Sequence, residues 1–574
     1  MTLTSSHALL NIFHTNGIDR VFLVPGESYL GILDALVDFP GIDTVVCRHE
    51  GGAGYMAVAD GRLTGRPGVA MVSRGPGASN ATIAVHTAQQ DGVPMILVIG
   101  QIPAKDLRRE AFQEIDYQKM YGSIAKWVFE PTDPAQLSEV AFKAIRMATT
   151  GSPGPVVLVI PEDIQQQAAE QFDWLVSPQA ATLPSQTDLD AIVARLQGAQ
   201  RPLIIAGGSF EQPGGREALQ AFARAWQIPV AVSFRRHDVF PNTDPLYAGE
   251  LGLANAPAQI AAFDDSDFIL ALGTRLGDIP TQGYSFPSLP QPSQTLLHCY
   301  PDPRTVGLHY SADFGLACDP TSLVLALTAS VTGAASTPER TEWIARLRSL
   351  RETHSSWPER APGDGVDFTA VVRSLAAQAP LDAVVCLDAG TFAAPVYRHF
   401  PFVFPQRLMS PLAGAMGYGT PAAVATALRL PDVKTICMVG DGGFLMTGNE
   451  MIAAVERKLP ILFVLSNNAS YASIRIHQER YYPGRTSGTD LFNPDFVAMA
   501  EAFGMQTLRI DNAEDIDAAI AQGLAATGPM FIEVRTSLSV VLPKQKKALQ
   551  ASDNVRSVTA SQPFRTFNAG ATAA

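Results

Sequence analysis

The stretch Gly440–Asn468 reads GDGGFLMTGNEMIAAVERKLPILFVLSNN, and it decides the fold of this chain. The run KTICMVG before it and the run ILFVLSNN at its end are apolar and rich in β-branched residues, which predicts two buried strands. The glycines of GDG allow a tight turn, and residues 449–458 have helical character. Ligands of open α/β sheets lie beyond the carboxyl ends of the strands. The pattern therefore predicts that Asp441 and Asn468 meet at one rim.

Asp441 and Asn468 offer a carboxylate and an amide oxygen. These donors suit a hard divalent cation, which can share its coordination shell with substrate phosphates. A strand–turn–helix unit that merely contains GDG is the structural alternative. The spaced pair between two strands is much more specific than GDG alone, so the sequence favours a metal site.

Length and composition limit the function further. The 574 residues suggest three or four domains, and 47% hydrophobic with 17% charged residues is ordinary for a globular protein. The net charge of -13 argues against nucleic acid and anionic membranes as main partners. None of the 5 cysteines forms a C-x-x-C pair, which is typical of reduced, buried thiols. We find no signal-peptide core or membrane-spanning run, so we expect a cytoplasmic protein.

Strand-like and helical patterns alternate along three stretches, 1–165, 188–330 and 366–540. This alternation predicts three doubly wound α/β domains with parallel sheets and right-handed crossovers. A Gln-, Ala- and Pro-rich segment, residues 164–188, is typical of a linker. A second boundary, residues 328–366, surrounds one charged helix.

The last stretch, residues 541–574, is a C-terminal tail with three lysines, Lys544, Lys546 and Lys547. We expect a solvated charge run. The alternatives are that the tail closes over the site or contacts a phosphorylated substrate.

The spacing of GDG and Asn-Asn resembles the signature of thiamine diphosphate enzymes. The run GRPGVAMVSRGPGASNATIAVHTAQQDGVPMILVIGQ, residues 65–101, resembles the acetolactate synthase group of that family. The resemblance implies a pyrimidine-binding domain at 1–165, a central nucleotide-binding-like domain at 188–330 and a diphosphate-binding domain at 366–540.

The resemblance also implies a cofactor site. Mg²⁺ is held by Asp441, the Asn468 side chain and the backbone oxygen of Ser470, and the metal anchors thiamine diphosphate. Further residues placed along the cofactor are Gly440, Gly442, Gly443 and Thr391.

In this family a glutamate at the place of Glu50 hydrogen-bonds N1′ of the pyrimidine ring, so that N4′ can remove the C2 proton of the thiazolium. A helix-start carboxylate stabilised by the dipole is the structural alternative for Glu50. The resemblance implies that the Gly414 carbonyl accepts from N4′, and that Met416 lies under the cofactor and forces its two rings together. An ordinary core methionine is the alternative for Met416.

The expected substrate pocket departs from that of ordinary acetolactate synthases. Ile476 and His477 replace a Gln-Trp pair, and Thr391 and Phe392 replace Gln-His. The candidate pocket residues are Ser28, Arg74, Gln113, Tyr471, Ile474 and His477. The synthases have a small hydroxyl residue where this chain has Arg74. Two alternatives are open for Arg74: it serves an anionic substrate, or it pairs with a surface acid. Tyr471, Ile474 and His477 form a pocket wall or a plain packed helix face.

The central domain resembles one that binds FAD in acetolactate synthases and ADP in oxalyl-CoA decarboxylases. Ile279 and Tyr300 stand where the synthases have other residues, so we expect no tight binding of FAD. A nucleotide site of another kind and an empty structural domain are both open.

The resemblance implies a lyase or carboligase that acts on a small molecule, a 2-oxo acid, as a homodimer or homotetramer. A C2 carbanion attacks a carbonyl and the thiazolium acts as electron sink. The alternatives are a 2-hydroxyacyl-CoA lyase or acyl-CoA decarboxylase, and an inactive homologue that binds a nucleotide or a protein partner. The presence of Glu50, Met416, Asp441 and Asn468 together argues against the inactive homologue.

Overall fold

The computed structural model describes residues 3–177, 182–253, 255–331 and 337–543. These residues fold into three α/β units, each built on a six-stranded sheet in which every strand pair is parallel. The predicted fold class, three doubly wound parallel-sheet domains, is confirmed. The predicted Lys544, Lys546 and Lys547 tail lies outside the described residues, and the exact domain boundaries stay predictions.

The first unit has the strand order β2-β1-β3-β4-β6-β5. Its strands are β1 (Arg20–Leu23), β2 (Asp43–Val46), β3 (Gly68–Val72), β4 (Met95–Gln101), β5 (Trp127–Phe129) and β6 (Pro155–Pro161). Its helices are α1 (Ser5–Thr15), α2 (Leu30–Leu36), α3 (Glu50–Thr64), α4 (Pro76–Asp91), α5 (Tyr117–Tyr121), α6 (Leu137–Thr149) and α7 (Glu162–Gln165).

The second unit has the strand order β12-β11-β10-β7-β8-β9. Its strands are β7 (Pro202–Ala206), β8 (Val230–Ser233), β9 (Tyr247–Leu251), β10 (Phe268–Leu272), β11 (Thr295–Cys299) and β12 (Phe314–Leu316). Its helices are α8 (Gln186–Gly198), α9 (Gly215–Trp226), α10 (Pro257–Asp264), α11 (Pro320–Ala329) and the charged α12 (Pro338–Ser355).

The third unit has the strand order β14-β13-β15-β16-β18-β17. Its strands are β13 (Val384–Leu387), β14 (Arg407–Met409), β15 (Thr435–Gly440), β16 (Ile461–Asn467), β17 (Gln506–Ile510) and β18 (Met530–Arg535). Its helices are α13 (Phe368–Gln378), α14 (Ala394–His399), α15 (Gly419–Arg429), α16 (Asp441–Thr447), α17 (Met451–Glu456), α18 (Ala472–Tyr481), α19 (Phe496–Ala502) and α20 (Ile516–Ala525).

The central strands are continuous apolar runs because helices cover both faces of each sheet. All seven residues of β4 are buried, and so are the first six of β16. The free cysteines are all buried, as predicted for reduced thiols. No helix among the described residues has the length and apolarity to cross a membrane.

The helical character predicted for residues 449–458 is present as α17, and a further helix precedes it. This helix, α16, begins at Asp441, because the acid occupies the first turn and favours the helix N-terminus. Helix α4 begins at Pro76, since proline fits the first helical position. The linker also starts within α7 and packs on α1, where Ser5 N donates to Gln167 O at 2.9 Å.

Helix α3 joins all three units. It packs against α4 of its own unit and α15 of the third. Near its carboxyl end, the buried Arg62 forms a two-pronged ion pair with Glu211 of the second unit, at 2.6 and 3.0 Å. Arg62 Nη1 also donates to the carbonyl of Ser410 in the third unit at 2.9 Å. Two charged hydrogen bonds and one backbone contact therefore fix the units around one helix.

Candidate active site

The structure brings Asp441, Asn468 and Ser470 together at the carboxyl edge of the third sheet. Asp441 follows β15 and Asn468 follows β16, which are adjacent strands. The Asn468 Oδ1 accepts from the Ser470 backbone N at 3.1 Å. The Asp441 carboxylate is buried, and the nearby backbone N–H groups of Ala469 and Ser470 favour its charged form. The predicted meeting of the GDG and Asn-Asn ends is thus present in the geometry.

Asn493 is a further polar residue of this rim that the sequence did not reveal. Its Nδ2 donates to Asp441 Oδ2 and to Asn467 Oδ1, both at 2.9 Å. Its Oδ1 is buried and has no donor among the described residues. No local spacing indicated this residue, because 52 positions separate it from Asp441.

The donor set of this rim fits a hard cation. Burial raises the pKa of Asp441, and the Asn493 amide and backbone N–H groups oppose that shift. A buried carboxylate without a cationic partner is costly, and a divalent ion beside it would offset that cost. The described residues contain no cluster of three or more His, Cys, Asp or Glu side chains that could bind a metal alone. One carboxylate with amide and backbone oxygens leaves coordination positions for phosphate oxygens.

Two glycines of the rim are required by close packing. A Cβ on Gly442 would lie 2.4 Å from the Tyr471 ring, and one on Gly443 would lie 2.6 Å from Asp388 Oδ2. Gly440 ends β15 at the same edge. A side chain at either position would force Tyr471 or Asp388 to move, which gives a physical reason for the glycines of GDGG.

The Gly414 and Met416 residues lie on an irregular segment before α15. Gly414 has a left-handed φ of 65°, and the Met416 side chain is 41% exposed. The Tyr55 hydroxyl donates to the Met416 carbonyl at 3.3 Å, which ties this segment to α3. The alternative of an ordinary core methionine does not fit this exposure.

Glu50 is the first residue of α3, which is the position described by its structural alternative. Its Oε2 accepts from Asn80 Nδ2 at 2.9 Å, and its side chain is half-buried. Among the described residues, no hydrogen bond or ion pair joins Glu50 to Asp441 or Asn468 of the same chain.

Glu450 is a second acid beside this helix start, and the sequence did not single it out. It is fully buried, and its Oε1 accepts from the backbone N–H groups of Arg48 and His49, both at 2.9 Å. Burial raises the pKa of Glu450 to about 7, against the effect of these hydrogen bonds. Glu450 thus connects the third unit to the two residues that precede Glu50.

Two predicted pocket residues of the first unit, Ser28 and Arg74, make contacts within the chain. Ser28 is buried, and its hydroxyl lies 3.2 Å from the Ser73 hydroxyl and accepts from the Arg74 backbone N; its place in a substrate pocket stays a prediction. The Arg74 guanidinium pairs with Glu162 at 2.9 Å, which is the second alternative given for it. Gln113 has a left-handed φ of 65°.

The predicted pocket residues of the third unit are more open. Ile474 and His477 are exposed, which excludes a face packed within the chain, and His477 stacks on Tyr481 with 6.3 Å between ring centroids. Thr391, Asn468 and Ile476 line a cavity of about 270 Å³ at the carboxyl edge of this sheet. The altered positions Thr391 and Ile476 therefore share one space.

A larger cavity, about 580 Å³, lies between the first and second units. The turn after β7, Gly207-Gly208, and Arg275 line it. Ile279 and Tyr300, the positions that depart from the synthase pattern, line it as well. The Tyr300 hydroxyl lies 3.2 Å from the Ser152 hydroxyl.

Comparisons with known proteins agree with this architecture. Three family profiles match the chain: the thiamine pyrophosphate enzyme N-terminal TPP binding domain at residues 3–120, the central domain at 189–327, and the C-terminal TPP binding domain at 388–534. The matched segments correspond to the three units of the fold.

Curated relatives cover almost the whole chain. The acetolactate synthase large subunit of Parasynechococcus marenigrum is 30% identical over 93% of this chain and 87% of its own length. The large subunit of Corynebacterium glutamicum is 29% identical over 90% of this chain and 84% of its own length. The acetolactate synthase isozyme 2 large subunit of Escherichia coli is 28% identical over 92% of this chain and 94% of its own length. The chain therefore belongs to the thiamine pyrophosphate enzymes and is an acetolactate synthase-like member of that family.

Proposed function

We propose that this protein is a Mg²⁺-dependent carboligase or lyase that acts on a 2-oxo acid with thiamine diphosphate. The observation that carries the proposal is the rim formed by Asp441, Asn468 and Ser470, which fits a cation that shares its shell with a diphosphate. The names of the relatives, all acetolactate synthase subunits, support the carboligase reaction.

Each part of the site would have a defined task. Asp441, the Asn468 amide oxygen and the Ser470 carbonyl would hold Mg²⁺, and Gly440, Gly442, Gly443 and Thr391 would lie along the cofactor. When bound, thiamine diphosphate supplies a nucleophilic carbon and an electron sink for bonds next to a carbonyl. Met416 would support the cofactor from below through its exposed thioether.

Glu50 would share a proton with N1′ of the pyrimidine ring. Its Oε2 already accepts from Asn80, and Oε1 has no donor among the described residues. One oxygen is therefore held in place while the other can hold or release a proton. The Gly414 carbonyl would accept a hydrogen bond from N4′.

The complete site would need a second copy of the chain, in a homodimer or a homotetramer. Glu50 makes no contact with the Asp441 rim of its own chain among the described residues. Apolar side chains near both groups are exposed in the single chain: Val46, Ile83, Met416, Leu445 and Met446. A second copy of the chain that covers these side chains would remove apolar surface from water and bring the two half-sites together.

The cytoplasmic location stays part of the proposal.

The central cavity would take a nucleotide rather than remain empty, but not FAD with high affinity. Its volume, its glycine turn and Arg275 suit a phosphate-bearing ligand, whereas Ile279 and Tyr300 depart from the synthase pattern. An absorbance spectrum of the purified protein tests this idea. A flavin spectrum near one equivalent would contradict it.

The decisive experiment is a panel of 2-oxo acids, measured with and without Mg²⁺ and thiamine diphosphate and followed by product mass. We expect turnover that requires both additions, and carbon dioxide or a ligated product. Acyl-CoA and 2-hydroxyacyl-CoA substrates belong in the same panel, because the altered positions Thr391 and Ile476 share one cavity. Turnover only with these thioesters would favour the second candidate. Turnover with none of them, and no cofactor binding, would refute the proposal.

A further inference from the structure

The segment Gly414–Tyr418 carries two groups that the proposed function places against the cofactor, the Gly414 carbonyl and the Met416 side chain. It contains no strand or helix, and both Gly414 and Gly417 have left-handed φ angles, 65° and 85°. A segment without its own hydrogen-bonded ladder takes one shape only if neighbouring elements hold it.

Asp388, which follows β13, provides the strongest of these contacts. Its carboxylate is 1% exposed. Oδ2 accepts from the Gly417 backbone N at 2.9 Å, and Oδ1 accepts from the Ala389 backbone N at 2.7 Å. The Tyr418 backbone N–H lies near enough to this carboxylate to favour its charged form. Backbone hydrogen bonds to a charged acceptor are stronger than those to a neutral one.

Two other elements hold the same segment from other sides. The Thr447 hydroxyl, at the end of α16, donates to the Gly417 carbonyl at 2.5 Å. The Tyr55 hydroxyl of α3 donates to the Met416 carbonyl at 3.3 Å. The Asp388 carboxylate is itself confined by close packing against Gly443. A Cβ added at Gly443 would lie only 2.6 Å from Asp388 Oδ2.

We propose that Asp388 is a positioning residue, which fixes the backbone of Gly417 and Tyr418 and thereby sets the placement of the Gly414 carbonyl and the Met416 side chain. The inference rests on the proposed function. Asp388 acts through the Gly414–Tyr418 segment, and it is not placed in contact with the cofactor.

The first test needs no cofactor. Asp388→Asn is compared with Asp367→Asn, a matched control in the same unit whose buried carboxylate accepts from the Thr369 backbone N at 2.9 Å at the start of α13. Hydrogen exchange of the peptide that covers Gly414–Tyr418 is followed by mass spectrometry. We expect exchange to be about 10-fold faster in the Asp388 variant, the loss expected for a hydrogen bond to a charged group. The control variant should exchange like wild type in this peptide.

The second test uses the protein with Mg²⁺ and thiamine diphosphate. Affinity measured by calorimetry should remain close to wild type in Asp388→Asn, because Asp441 and Asn468 are unchanged. Exchange of the cofactor C2 proton, followed by NMR, should slow by about 10-fold or more, as for a misplaced proton-transfer group. A residue needed only for folding would lower stability or affinity and leave the C2 exchange of the bound cofactor unchanged.

Thr447→Val covers the case in which the Asp388 variant does not fold. It removes the hydroxyl that donates to the Gly417 carbonyl, keeps a similar side-chain shape, and should slow C2 exchange in the same direction by a smaller factor. If folded Asp388→Asn matches wild type in both exchange measurements, the inference is wrong while the proposed function stands. If wild type itself binds no thiamine diphosphate, the proposed function fails and the inference fails with it.

Discussion

Replacement of Glu450 by glutamine should change how the stability of the protein depends on pH. The pKa of this buried carboxyl is about 7, against 4.5 for an ordinary glutamate. The folded state therefore holds the proton more tightly than the unfolded state does. The contribution of this carboxyl to stability is complete below about pH 4.5 and is lost as the pH rises through about 7.

The magnitude follows from the same two values. Their difference is 2.5, and each pH unit corresponds to about 1.4 kcal/mol, so the loss amounts to about 3 kcal/mol. In wild type, Glu450 Oε1 accepts hydrogen bonds from the backbone N–H groups of Arg48 and His49, both at 2.9 Å. A glutamine cannot titrate, but its side-chain oxygen can still accept these two hydrogen bonds. We expect wild type to lose up to about 3 kcal/mol relative to Glu450→Gln between about pH 5 and about pH 8.

Urea unfolding followed by circular dichroism at both pH values measures this change, with wild type and variant compared in parallel. Glu456→Gln is the matched control, because it removes an acid from an exposed position at the end of α17, the helix that follows Glu450 directly. The control should differ from wild type by the same amount at both pH values. A Glu450→Gln variant whose difference from wild type is also independent of pH would refute the reasoning.

Three further outcomes test the proposed site. Asp441→Ala should abolish Mg²⁺-dependent binding of thiamine diphosphate, and calorimetry that finds wild-type affinity would contradict the metal assignment. Glu50→Gln should keep cofactor binding but lower turnover by about 10²–10⁴-fold and slow C2-proton exchange in parallel; unchanged values of both would leave Glu50 as a helix-start carboxylate. Light scattering of active protein should give a mass of at least two chains, and an active monomer would rule out a shared site.

The sequence predicted the elements whose signal is local. Continuous apolar runs predicted β15 and β16, because strands covered on both faces need apolar residues at every position. Asp441 and Asn468 were predictable because each follows such a run. Such a pattern involves only residues that are neighbours along the chain. It can therefore be recognised without any knowledge of the tertiary structure.

The residues that the sequence missed have partners far away along the chain. Glu450 contacts Arg48 across 402 positions, and Asp388 contacts Gly417 across 29. For Glu450 the only signal was an acid beside an apolar helix face, and that signal does not name its partner.

The Arg62 contacts also limit how such chains can be recombined. A chimera that takes the second unit from a relative would leave Arg62 buried without Glu211 unless that relative supplies an acid at the same place. An unpaired buried charge costs about 3–5 kcal/mol, a large part of the stability of most domains. The three units are therefore separate in architecture but coupled in stability, and crossover points between relatives should avoid separating α3 from the segment that carries Glu211.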